Sequence, residues 1–105
     1  MKGETGNAAR VAGAVYVRAE GVILRSIAGE ALLVPIRKDL ADMREVFTLN
    51  PIGVVIWQLL DGFLPLSGLL SAVLERYEVA EEQASADLVS FMEQLSARGL
   101  IERRV

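Results

Sequence analysis

The sequence predicts an α+β domain in which a short antiparallel sheet precedes three amphipathic helices. Three observations predict it. Residues 22–49 hold short apolar runs broken by a turn signal, and residues 50–101 hold apolar positions at helical spacing. The change of period falls on Asn50-Pro51, a helix start.

The first two strands read as a hairpin, Val22, Ile23, Leu24 and Ile27 before Ala28-Gly29-Glu30 and then Ala31, Leu32, Leu33, Val34 and Ile36. Gly29 supplies the positive φ of a tight turn. Pro35 donates nothing to a ladder and belongs at a strand end. After the charged stretch Arg37 to Asp42, Met43 to Leu49 is the third strand. Its alternation puts Phe47 and Leu49 on one face and Arg44, Val46 and Thr48 on the other.

Asn50 caps the first helix and Pro51 opens it, and Ile52, Val55, Ile56, Leu59 and Leu60 form its stripe with Trp57 at the flank. Asp61-Gly62 is expected to close it. The second helix begins near Pro65 and presents Leu66, Leu69, Leu70, Val73, Leu74 and Tyr77, with Gly68 a mild weakness. The third runs from about Glu81 to Arg98 with the stripe Ala84, Leu88, Phe91, Met92 and Leu95. Gly99 stops it, and Leu100 and Ile101 fold back onto the core. Three strands followed by three helices, without repeats or low complexity, make a winged helix-turn-helix the natural architecture.

One domain fits in 105 residues, and 52% apolar residues suffice for a core. The apolar run Val11–Val17 after Lys2 and Arg10 is too short for a signal peptide and ends at Arg18 and Glu20. Residues 1–21 therefore read as a variable arm, and 22–105 as the domain. Leu49 to Leu74 has Asp61 as its only charge, but Pro51, Gln58, Asp61-Gly62 and Pro65 divide it into pieces too short to span a bilayer. A cytoplasmic protein is expected.

The residue inventory excludes much chemistry. With neither cysteine nor histidine there is no thiolate nucleophile, no histidine base and no usual zinc site, so no catalytic residue, metal ligand or cofactor is assigned. The formal net charge of −3 has the wrong sign for tracking a phosphate backbone. An enzyme and a nonspecific nucleic-acid binder are both disfavoured.

A three-stranded sheet must have an edge, whose open N–H and C=O groups can pair with another extended chain. Taken alone, Val46, Phe47 and Leu49 still read as sheet residues, the third helical stripe as core, and Asp87 with Glu81-Glu82 as a solvated face. The residues do not choose between these readings.

The run Phe47-Thr48-Leu49-Asn50-Pro51-Ile52-Gly53, continued by Ile56-Trp57-Gln58-Leu59-Leu60-Asp61-Gly62, resembles the signature of the coenzyme PQQ synthesis protein D family. Leu69 to Leu74, Arg76-Tyr77-Glu78-Val79, Ala84 with Asp87, Phe91 to Leu95 and Gly99-Leu100-Ile101 extend the resemblance over residues 22–102. The longer polar stretch that precedes the Leu-Asn pair in the founding PQQ protein is missing. The resemblance is thus to the broad family, and synthesis of PQQ is not implied.

The resemblance implies a non-catalytic recognition element for ribosomally made, post-translationally modified peptides. The leader segment of a precursor would add to the third strand at Arg44, Glu45, Val46, Phe47 and Thr48. It would lie against a groove wall of Ala84, Asp87, Leu88, Phe91 and Leu95. The other implied partner is a modifying enzyme, commonly a radical S-adenosylmethionine maturase. Two competing readings are a winged-helix DNA-binding regulator and a self-associating structural domain that forms a homodimer through the same edge.

Overall fold

A strand that local sequence pattern does not announce comes first. Val15–Arg18 (β1) lies inside the expected arm, yet it is the central strand of a sheet. The computed structural model describes residues 13–36 and 46–104, and the boundary of the folded unit therefore moves from residue 22 to at least Val15. The charged stretch from Arg37 and the start of the third predicted strand, Met43 to Glu45, lie outside the described residues.

The expected hairpin is present as Val22–Ile27 (β2) and Glu30–Pro35 (β3), paired antiparallel from Val22 with Pro35 to Ile27 with Glu30. Ala28 (φ 54°) and Gly29 (φ 83°) both take left-handed backbone, as a two-residue type I′ turn requires. Pro35 closes β3, where its missing N–H costs nothing. Phe47–Leu49 (β4) pairs with β3 through Phe47 with Leu33, Thr48 with Leu32 and Leu49 with Ala31. The order in this sheet is β2-β3-β4.

Pro51–Gln58 (α1) starts as its sequence dictates, with Asn50 Oδ1 accepting from the Gly53 N–H at 2.7 Å. It stops earlier than expected. Leu60 is buried at the turn, and Asp61–Pro65 (β5) is a strand where the sequence pattern placed the helix stop and the connection to the second helix. The Asp61 carboxylate accepts from the N–H groups of Phe63 (2.8 Å) and Leu64 (3.0 Å), so its local hydrogen bonds compete with helix and win. Trp57, read as a flanking residue, is 3% exposed and belongs to the core.

Leu66–Arg76 (α2) buries Leu66, Leu69 and Val73, and Glu81–Ala97 (α3) buries Ala84, Leu88, Met92 and Leu95. α3 ends at Gly99 (φ 72°), with the Gly99 N–H donating to Ser96 O and the Leu100 N–H to Leu95 O, both at 3.0 Å. This pair of bonds is the Schellman motif, and buried Leu100 and Leu95 supply its apolar contact. The chain then turns into Ile101–Arg104 (β6), a further strand that the sequence pattern does not reveal.

β1 lies between β5 and β6, antiparallel to both, giving the order β5-β1-β6. Among the described residues, the three expected helices are thus joined by two three-stranded antiparallel sheets instead of one. Leu33, Leu60, Leu69 and Leu95, the largest fully buried side chains, tie the β2-β3-β4 sheet to α2, α3 and the turn after α1. Among the described residues, no helix is long and apolar enough to cross a membrane.

Candidate functional site: an open strand edge beside a helical cleft

β4 is the last strand of its sheet. Its pairing with β3 uses one side, and no described strand covers the other. Alternation along β4 matches expectation: Leu49 is buried, Phe47 half-buried and Thr48 exposed, with half-buried Val46 just before the paired residues. The open side of such a strand presents main-chain donors and acceptors at a fixed spacing.

α3 runs beside this strand. The Phe91 ring lies 6.1 Å from the Phe47 ring at 58°, and the Arg98 guanidinium carbon stands 5.1 Å from the Phe47 centroid. Both contacts are of the kinds that aromatic rings favour, tilted ring on ring and cation over face. They hold α3 next to β4 without an intervening strand.

Beyond Phe91 a cleft of about 160 Å³ opens between α1 and α3. Asn50, Ile52, Gly53 and Ile56 form one wall and Gln83, Ala84, Asp87, Leu88 and Phe91 the other, with Val73 and Val79 at the remaining sides. Gly53 lets Asn50, Leu49 and Phe91 close in on its backbone. A Cβ there would meet Asn50 Oδ1 at 3.2 Å, Leu49 Cδ2 at 3.3 Å and Phe91 Cζ at 3.4 Å. The cleft is chiefly apolar, with Asp87 and Gln83 as its polar rim, joined by a 2.9 Å bond from Gln83 Nε2 to Asp87 Oδ1.

Of the residues singled out from the sequence, Val46, Phe47 and Thr48 lie at the edge, and Ala84, Asp87, Leu88 and Phe91 line the cleft. Leu95 does not. It is 0% exposed, one turn past Phe91 on the core side of α3. Arg44 and Glu45 lie outside the described residues. Asn50, Ile52, Gly53, Ile56, Val73, Val79 and Gln83 also line the cleft and Arg98 stands over Phe47, although none was singled out from the sequence as a site residue. Arg98 follows Phe91 by two helical turns, a signal that would have placed it on the same row.

The arrangement holds no constellation for bond chemistry. Among the described residues no group of three acidic side chains could hold a metal. What it offers is a surface for an extended chain, which defines the class as a small α+β domain with an unfinished sheet beside a cleft.

The family model of Coenzyme PQQ synthesis protein D (PqqD) matches residues 30–101, and the chain belongs to that family. A solved structure described as TbiB1 in complex with the TbiA(beta) leader peptide shares the fold. Its TM-score is 0.65 at 23% sequence identity, covering 82% of this chain and 94% of that one. No curated protein gives a significant match.

Proposed function

We propose that this domain is a non-catalytic recognition element that binds the leader segment of a ribosomally made precursor peptide and presents it to a modifying enzyme. The carrying observation is the open edge of β4 lying directly beside the α1–α3 cleft. A guest strand would complete the ladder at Val46 to Thr48, laying one face on Phe47 and Phe91. About 160 Å³ accommodates one apolar side chain of the guest, so the backbone ladder supplies affinity and the cleft selects. Membership of the PqqD family, and the shared fold with a protein solved on a leader peptide, support the same reading. The partner enzyme in this proposal is a maturase, with the radical S-adenosylmethionine class the first to test.

DNA recognition by α3 is disfavoured, because Glu81, Glu82, Asp87 and Glu93 are all exposed along it. The direct test is Val46→Pro. Val46 precedes the residues paired with β3, so the substitution spares the fold's own ladder while removing an N–H next to the open edge. Binding of a leader-length peptide selected on the parent from a random library should weaken by about tenfold or more, a lost hydrogen bond plus strain, with the helical circular dichroism unchanged. Equal binding by variant and parent would exclude strand addition.

A further inference from the structure

The wall that α3 turns toward β4 is electrically asymmetric. Of its acidic residues, Glu81, Glu82 and Glu93 line a different face of the helix, one that also carries Ser85 and Ser90. Asp87 alone lines the cleft. At the opposite end of the same row stands Arg98, held over the Phe47 ring. Between the two charges lies the apolar surface of Phe91.

The direction of the strand follows from the same contacts. Phe47 meets Arg98 at the C-terminal end of α3, whereas Asn50 shares the cleft with Asp87, so β4 runs antiparallel to α3. Asp87 and Arg98 are eleven positions apart, which on a helix is about 16 Å. An extended guest covers that distance in about five residues.

We infer that the groove reads the order of charge along its peptide, taking a basic side chain beside Asp87 and an acidic one about five residues away beside Arg98. The inference rests on the strand-addition reading above. An antiparallel guest, the commoner pairing, enters at Asp87 and leaves at Arg98, so its basic residue is the N-terminal one. A peptide with the reverse order sets like charges at both ends and is rejected by repulsion. Gln83 fixes the Asp87 rotamer through its 2.9 Å bond, which sharpens the selection.

The probe is an mRNA-displayed library of random twelve-residue peptides, selected on the whole chain and, in parallel, on the double variant D87K/R98E. Both side chains are exposed, and a thermal melt of the variant checks that it folds. The parent is expected to enrich Lys or Arg four to six positions ahead of Asp or Glu by about threefold over chance, as exposed ion pairs allow. The variant is expected to enrich the reverse. Should the double variant not fold, D87N/R98Q is expected to lose the preference altogether. Peptides that share no charge order, or the same order on both proteins, yet lose binding to Val46→Pro, overturn the charge reading and leave strand addition standing. Selected peptides that bind Val46→Pro as well as the parent, or no enrichment at all, overturn both.

Discussion

The two sheets are built alike and end differently. Each has three antiparallel strands and therefore open edges, but the edges of β5-β1-β6 are blunted from within. In β5 the N–H groups of Phe63 and Leu64 already donate to the Asp61 carboxylate, and Pro65 has none to give. β6 carries Glu102, Arg103 and Arg104 in succession, and charge is a standard deterrent to edge pairing. β4 carries Phe47-Thr48-Leu49, with no side-chain charge of its own, and faces an apolar cleft. An edge is open to docking when its backbone is left unsatisfied and a wall stands beside it; among the described residues β4 meets both conditions.

That contrast can be pressed by substitution. The largest effect is expected from Leu95→Ala, which removes a fully buried side chain that helps tie the helices together. Unfolding free energy should fall by about 3 kcal/mol, measured by urea titration, while peptide affinity of the folded fraction stays as in the parent. A loss of affinity without a loss of stability would return Leu95 to the groove.

A smaller effect with the opposite signature is expected from Gly53→Ala. The new methyl presses on Asn50, Leu49 and Phe91, all within 3.4 Å, and narrows the cleft. Overpacking costs about 1 kcal/mol or more, whereas alanine in a helix returns up to about 1 kcal/mol, so stability changes little. Affinity should drop about fivefold in a calorimetric titration.

The smallest effect concerns the blunted edge. Hydrogen bonds from the Phe63 and Leu64 N–H groups hold the Asp61 carboxyl below its ordinary value of 3.8. Because the folded value is the lower one, the carboxylate's contribution is fully present above the ordinary value and is lost as pH falls through the folded one. In Asp61→Asn the melting temperature should be slightly reduced at neutral pH and should converge on that of the parent in strong acid. Peptide binding should be unchanged, since β5 is not the docking edge.

How far the sequence foretold this architecture depends on the range of the contacts involved. The β2-β3 hairpin, the Asn50-Pro51 start and the Gly99 stop were legible because each is fixed by neighbours within a few positions. β1, β5 and β6 were not. Val15 pairs with Pro65 and with Arg104, so these short strands exist only once distant segments have met, and none shows a clean alternation.

The site divides in the same way. Helical period placed Ala84, Leu88, Phe91 and Leu95 on one stripe, but it could not say where core ends and groove begins. Only the position of β4 separates buried Leu95 from half-buried Phe91, and the Phe47 ring is what meets Arg98 on the row that helical period gives it. The edge itself was visible as a strand; its openness is a property of the assembled sheet.

Amide hydrogen exchange, followed by NMR with and without a twelve-residue peptide selected on the chain from a random library, tests the central claim most directly. The account predicts slowed exchange at Val46 and Thr48, whose N–H groups face the open side of β4 while those of Phe47 and Leu49 face Leu33 and Ala31 of β3, and no change at Asp61 to Leu64. Protection appearing on β5 or β6, or a bound peptide that leaves the β4 amides exchanging as before, would contradict it.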